Sequence, residues 1–277
     1  LEDELGVELF VRKGKRLLGL TEPGKELLVV AERMLHDAQN IRRLADQFSQ
    51  QDAGKLELAT THTQARYILP PVVAQFRQEF PKVHLAMQQA SPAEIVRMLQ
   101  EGTADIGIAT EAVSRDPGLV AFPFHQWRHA VVVPKGHPLT KIRQVTLANL
   151  AAYPLITYQP EYTGRTRIDA AFARAGLSPD IVMSAVDADV IKTYVELGLG
   201  VGIVASVAVD EERDRQLALI PIDNLFEVNT TWIAVRRGHY LRGFAFRFIE
   251  LCSAELTEET VRRSLNPDRS ASMDAMP

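Results

Sequence analysis

Cysteine is nearly absent from this sequence: Cys252 is the single one in 277 residues. One thiol cannot build a disulfide framework or a cysteine-rich zinc site, and the chain fits a reducing cytosol. Long apolar runs are missing as well. No stretch reaches the roughly 20 residues that a membrane-spanning helix needs, so the expectation is a cytoplasmic protein with no membrane partner. Positive charge is not in excess: 31 Lys and Arg stand against 35 Asp and Glu, a formal net charge of −4. Contact with DNA must therefore come from a local patch. The opening Leu1-Glu2-Asp3-Glu4-Leu5 is acidic, lacks the regions of a secretory leader and does not begin with methionine, so it reads as starting inside a longer natural sequence.

Catalytic signatures are missing too. There is no Gly-x-Ser-x-Gly elbow and no histidine pair at metal-ligand spacing. Gly198-Leu199-Gly200-Val201-Gly202 lacks the third glycine of a dinucleotide loop and reads as a helix end turning into a strand. His62 has no sequence partner that would make it a base, and Asp187 and Asp189 read as helix-capping or hinge residues rather than an acid/base pair. We expect no enzyme, no metal and no cofactor beyond a small-molecule effector.

What the sequence does contain is 46% hydrophobic residues, enough for one sizeable core or two. In residues 1–20, Leu9-Phe10-Val11 and Leu17-Leu18-Gly19-Leu20 flank Arg12-Lys13-Gly14-Lys15-Arg16. That pattern predicts a β-hairpin with a basic tip, which is either a solvated turn or a phosphate contact. Thr21 offers an N-cap and Pro23 a first-turn residue for a helix running to about Phe48. On it Leu27, Met34, Ile41 and Phe48 recur every seven residues, as do Ala31, Ala38 and Ala45. This is a coiled-coil seam with close approach, or a helix lying on its own core. Such a helix is ~40 Å long, which favours a second copy as partner.

A polar break at 49–54 marks a linker, and then strands and helices alternate. A β-α-β-α-β order, with strands at 55–60, 83–88 and 105–109, implies a parallel sheet with right-handed crossovers. A second set with strands at 130–134, 155–158 and 181–185 follows, and a last strand and helix at 230–235 and 241–251 return to the first. The fold class is thus α/β with two lobes. The expected divisions are 1–20, 21–54, a first lobe of 55–125 plus 227–254, a second lobe of 126–226 and a frayed tail at 255–277.

Ligands of open parallel sheets bind beyond the carboxyl ends of the strands. Thr61-His62-Thr63-Gln64, Thr110, Thr163-Gly164 and Asp187-Ala188-Asp189 follow four such ends. Hydroxyls, an amide and free backbone N–H groups can hold a small anion without a formal positive charge. Each threonine taken singly could equally be an ordinary helix cap.

The run Leu1-Glu2-Asp3-Glu4-Leu5-Gly6-Val7-Glu8-Leu9-Phe10-Val11-Arg12, with Leu20-Thr21-Glu22-Pro23-Gly24, closely resembles the signature of bacterial LysR-type transcriptional regulators. The resemblance covers the chain to about residue 255. The segments at 59–67, 108–112, 162–165 and 187–195 look like the cysteine-regulon activators of that family. The resemblance implies a winged helix-turn-helix, here expected as a truncated remnant ending a recognition helix, then a linker helix and a type 2 periplasmic-binding-protein-like effector domain. It implies that Arg12, Lys13, Lys15 and Arg16 contact the DNA backbone, and that Thr61, Thr63, Gln64, Thr110 and Thr163 contact the effector. It further implies N-acetylserine or O-acetylserine as inducer, sulfate or thiosulfate acting against it, a homodimer or homotetramer, and RNA polymerase as partner. Two rivals share the fold: a regulator of another pathway, and a solute receptor of the periplasmic type.

Overall fold

The computed structural model describes residues 1–49, 52–110, 112–162, 164–210, 212–222 and 225–265, apart from the side chains at 36, 39, 43, 46–49 and 221. The chain divides into two units, residues 1–51 with 239–242 and residues 52–238 with 243–277.

In the first unit a short helix α1 (Glu2–Leu5) ends at Gly6 and leads into an antiparallel hairpin of β1 (Phe10–Lys13) and β2 (Arg16–Leu20). Lys13 pairs with Arg16 around a two-residue turn, where Gly14 takes a positive φ of 62°. The carboxylate of Glu2 ties helix to hairpin: it accepts from Leu9 N at 2.7 Å and Phe10 N at 3.1 Å and pairs with Arg12. The hydrogen bond from Leu9 leads the influences that hold this carboxyl below the usual range.

Thr21 then caps the long helix α2 (Glu22–Ser49). Its hydroxyl accepts from Gly24 N at 3.1 Å and donates to Glu8 O at 2.6 Å. Gly24 is where the helix touches the wing, because a Cβ there would lie 2.1 Å from Leu9 O. These contacts correct the expectation of a truncated remnant. Residues 2–42 fold as a winged-helix unit, with buried Leu9 and its own hydrogen-bonded joints.

The second unit runs β3 (Ala53–Thr60), a π-helical turn (Gln64–Ile68), α3 (Pro70–Glu79), β4 (Lys82–Gln89), α4 (Pro92–Glu101), β5 (Ile106–Ala109), α5 (Ala112–Arg115) and β6 (Leu119–Trp127). The chain then crosses to β7 (His129–Pro134), α6 (Leu147–Ala151), β8 (Leu155–Tyr158), α7 (Arg165–Arg174), β9 (Ile181–Ala185), α8 (Ala188–Glu196), β10 (Val201–Ala205) and β11 (Leu217–Pro221). It returns through β12 (Asn229–Arg236), α9 (Gly243–Cys252) and α10 (Glu258–Leu265). Two five-stranded sheets result, ordered β4-β3-β5-β12-β6 and β11-β7-β10-β8-β9.

The run β3, β4 and β5 is parallel as expected, but each finished sheet is mixed. In the first, β12 runs antiparallel to both β5 and β6. In the second, β7 runs antiparallel to β10 and β11. The strands that carry the chain between lobes impose this, since one leaves and one returns along the same edge. The strand β6 was not anticipated from the sequence. Its burial alternates only in part, and Pro123 and Gln126 interrupt the apolar pattern. The expected tail is likewise corrected: Glu258–Leu265 is an amphipathic helix that buries Val261 and Leu265, while residues 266–277 lie outside the described residues.

Helices cover both faces of each sheet. In the first lobe α4 and α5 pack Ile95, Leu99 and Val113 on Ala59, Ala109 and Ala234, and on the other face Phe76 of α3 meets Phe248 of α9 edge-on at 5.4 Å. Burial pushes the Cys252 thiol up to about 12, which keeps it protonated and unreactive at neutral pH. Among the described residues no helix is long and apolar enough to cross a membrane.

The Gly24 contact gives a first test. Gly24→Ala forces a methyl into the Leu9 carbonyl, and overpacking of this kind costs about 1–3 kcal/mol. Denaturant unfolding should show that loss; an unchanged midpoint would mean that α2 does not seat on the hairpin.

Candidate functional site

The carboxyl ends of β3 and β5 lie side by side, with Thr60 opposite Ile108. Thr60 is spent within the sheet, its hydroxyl donating to Ile108 O at 3.1 Å. Beyond it, Thr61, Thr63 and Gln64 are 4%, 1% and 1% exposed, and Thr110 is 7% exposed. Thr63 differs from the molecule's true caps. Ser91, Thr146 and Asp187 each accept a backbone N–H at the start of a helix. Thr63 makes no such bond, and Thr63 Oγ1 and Gln64 Oε1 are buried without a partner in the chain. His62 Nδ1 is a third buried atom in that position.

The second lobe faces these groups. Tyr158, fully buried at the end of β8, accepts from Ala205 N at 3.0 Å. Burial raises its phenol far above the ordinary range, so it stays neutral, and the Thr63 hydroxyl is close enough to perturb it. Arg165 lies beside the site with its charge committed, since it donates to Tyr158 O and pairs with Asp169 at 2.7 Å. A cleft of about 300 Å³ opens between the lobes, lined by Thr110, Arg115, Tyr162, Gly164, Arg165 and Arg167 among others. Thr163 itself lies outside the described residues. Gly164 has φ +69°, and a Cβ there would come 2.4 Å from Asn229 Oδ1, so glycine lets the second lobe reach the start of β12.

The structure therefore gathers Thr61, Thr63, Gln64 and Thr110 at one sheet edge. It also reveals residues that the strand-end rule passed over. Asp189 accepts from the Tyr67 hydroxyl at 2.7 Å and from Arg66 Nε at 2.6 Å, which fastens the π-helical turn of one lobe to α8 of the other. Lys192, 5% exposed, donates to Ala208 O at 2.7 Å and pairs with Asp214 at 3.0 Å and Asp189 at 3.5 Å. The sequence carried no signal for the Tyr67 and Arg66 contacts to Asp189, because the partners lie more than a hundred residues apart.

His62, Asp187 and Asp189 offer ligand atoms within 4.8 Å of one another. They suit a metal poorly. Asp187 is engaged as the cap of α8, and Asp189 already faces two cations.

On the first unit, Arg12 is paired with Glu2, whereas Lys13, Lys15 and Arg16 are exposed and make no ion pair among the described residues. Along α2, Leu27 and Ala31 are half-buried, Ala38 and Ala45 exposed, and Met34 and Ile41 are 66% and 67% exposed. The Phe48 side chain lies outside those described.

Known proteins match this chain closely. The family description "LysR substrate binding domain" matches residues 49–257. The chain is 55% identical over 261 residues to the HTH-type transcriptional regulator SsuR of Burkholderia cenocepacia, covering 94% of this chain and 85% of that protein. It is 51% identical over 265 residues to the HTH-type transcriptional regulator CysB of the same organism, covering 96% and 85%. The solved cofactor-binding domain of the Cbl transcriptional regulator superposes with a TM-score of 0.74 at 52% identity, covering 77% of this chain and 93% of that one.

The interlobe latch predicts a pH dependence. Burial alone would raise the Asp189 carboxyl, but the Tyr67 hydrogen bond and the Lys192 and Arg66 charges outweigh it and hold the carboxyl below its usual value. A depressed acid stabilises the fold fully above its unfolded pKa and loses that contribution as pH falls through the folded one. Asp189→Asn should therefore melt below the parent at neutral pH, with the gap closing as pH drops through and below the normal Asp range near 4. A gap that stays constant with pH would remove the carboxylate from the latch.

Proposed function

The chain belongs to the LysR family of transcriptional regulators, and from that premise we propose that its two-lobed domain senses a small sulfur-pathway anion and so sets transcription of sulfur and cysteine genes. The family makes it a non-catalytic, DNA-binding protein, which closes the solute-receptor and enzyme readings and sets its work in the cytoplasm. The observation that carries the ligand reading is the cluster of buried hydroxyl and amide groups after β3, two of them without a partner in the chain. A buried polar group left alone costs about 1–3 kcal/mol. The Thr63 hydroxyl can donate to an external oxyanion, and a buried donor of this kind is worth keeping where a ligand completes it.

Thr61, Thr63, Gln64 and Thr110 supply the contacts from the first lobe, and Thr163, carried by the family resemblance, supplies one from the second. Sulfate and thiosulfate suit the neutral hydroxyl and amide groups of Thr61, Thr63, Gln64 and Thr110. N-acetylserine or O-acetylserine needs the further room of the adjoining cleft. Lys13, Lys15 and Arg16, with Arg12 at their base, are the phosphate contacts of the wing. The apolar seam of α2, with Leu27, Ala31, Met34, Ala38, Ile41, Ala45 and Phe48, pairs with a second copy, and dimers assemble to tetramers that meet RNA polymerase.

Thr110→Val keeps the shape of the side chain and removes its hydroxyl. Calorimetry with sulfate and N-acetylserine should show affinity lower by roughly ten- to a hundredfold, the worth of a hydrogen bond to a charged group, with little change in melting. Parent-like affinity together with a lower melting temperature would make Thr110 a structural residue and sink the site. The dimer has its own check. Ala38→Glu places a long charged side chain in the seam, and sedimentation should find a smaller species than the parent; an unchanged one would place the dimer contact elsewhere.

A further inference from the structure

We infer that Thr231 and Trp127 are positioning residues that aim the amide of Gln64 at the bound anion, N–H₂ outward, and thereby make the site select a fully deprotonated oxyanion. The inference rests on the reading that Thr61, Thr63, Gln64 and Thr110 hold an anion. Neither Thr231 nor Trp127 follows the carboxyl end of a parallel strand. Yet β12 runs antiparallel to β5, so its beginning shares the edge where β3 and β5 end. Trp127, the last residue of β6, reaches the same edge from the other side.

At that edge three side chains converge in the interior. Thr231, Gln64 and Trp127 are 0%, 1% and 3% exposed. Thr231 Oγ1 lies 3.1 Å from Gln64 Nε2 and 3.1 Å from Trp127 Nε1. Counting protons decides how such a trio is used. An indole N–H can only donate, so Thr231 must accept from Trp127. If Thr231 also accepts from the Gln64 N–H₂, its own proton has no acceptor among the described groups, and Gln64 Oε1 stays buried and unpaired. A half-turn of the carboxamide about its last side-chain bond exchanges two ends of nearly equal size. The Thr231 hydroxyl then donates to Gln64 Oε1 while accepting from Trp127, and every proton in the trio finds a place.

The half-turn leaves the Gln64 N–H₂ where the unpaired oxygen stood, and the preceding residue, Thr63, brings a buried hydroxyl that likewise makes no hydrogen bond in the chain. The site then offers an amide donor and rotatable hydroxyls. An oxyanion that carries no proton takes all of these donors. One that keeps a proton must spend an oxygen as donor and finds a poorer match. Thr231 and Trp127 thus act on ligand choice without touching the ligand.

The test compares sulfate with phosphate, which retains a proton at neutral pH, by calorimetric titration of the full chain. Parent protein should prefer sulfate. Gln64→Leu should weaken sulfate binding by roughly ten- to a hundredfold. Thr231→Val and Trp127→Phe should each weaken sulfate binding and narrow the sulfate-over-phosphate preference about tenfold, a ratio that a general loss of stability would not move. Thr231→Ser, which keeps the hydroxyl, should restore both. If Gln64→Leu weakens binding while Thr231→Val and Trp127→Phe keep the parental preference, the positioning role is wrong and the anion site stands. If Gln64→Leu binds sulfate as the parent does, the anion site itself is wrong and the inference goes with it. Should Thr231→Val fail to fold, Trp127→Phe and Thr231→Ser decide: unchanged selectivity in the first, or lost selectivity in the second, overturns the proposal.

Discussion

A hydroxyl or amide taken out of water must find a partner, and that requirement organises the edge where the first sheet meets the second lobe. Several polar side chains there obey it inside the chain. Thr60 bonds to Ile108, Thr157 to Ile203, Tyr158 to Ala205 and Arg165 to the Tyr158 carbonyl. Thr63, one end of the Gln64 amide, His62 Nδ1 and Asn229 Oδ1 do not. The clustering of such atoms within three consecutive residues, His62, Thr63 and Gln64, marks this edge, since an uncompensated buried polar group is costly. The same cost explains why the site uses neutral groups. An arginine buried there would need a counter-charge whenever the ligand is absent, as Arg165 has in Asp169.

The turn that presents these groups is π-helical over Gln64–Ile68, an uncommon winding that recurs at functional sites. Its first residue joins the polar cluster, and its third and fourth, Arg66 and Tyr67, hold Asp189 of the other lobe. One short segment thus carries both the candidate ligand contact and the fastening between lobes. A ligand seated against Gln64 and a change in the fastening cannot be independent, because any shift in the backbone of the turn is felt by both.

Much of this was legible in the sequence, and what was not has an identifiable reason. The hairpin, the Thr21 cap and the heptads of α2 are local patterns, and local patterns read directly. So do the residues after β3 and β5, because the strand-end rule applies to parallel neighbours. The same rule misled at β12. It inspects where strands end, whereas Asn229 and Thr231 sit where an antiparallel strand begins. The latch was beyond sequence reasoning for a different reason: Tyr67 and Asp189 meet only after two lobes have folded. The expected remnant at the start failed because the first residues were judged by what a longer helix would add. The contacts that Glu2 makes with Leu9, Phe10 and Arg12 tie α1 to the hairpin.

Magnitudes set what the latch can do. The Arg66–Asp189 pair is about two-fifths exposed on each side, and pairs of that kind contribute about 0.2–1 kcal/mol. The Tyr67 hydrogen bond to the Asp189 carboxylate adds about 1.5–3 kcal/mol. Their sum is a few kcal/mol at most, of the same order as one hydrogen bond from the site to an anion. Such a latch biases the lobes without locking them. A ligand making two or three contacts that differ between arrangements can therefore override it, and one making equal contacts in both shifts nothing however tightly it binds. Sensing thus depends on how unequally a ligand engages the two lobes. This is why the donors of the first lobe matter less by their number than by whether they still reach the anion when the second lobe moves. By linkage the coupling is reciprocal, so whatever the anion does to the protein's hold on DNA, DNA does to its hold on the anion.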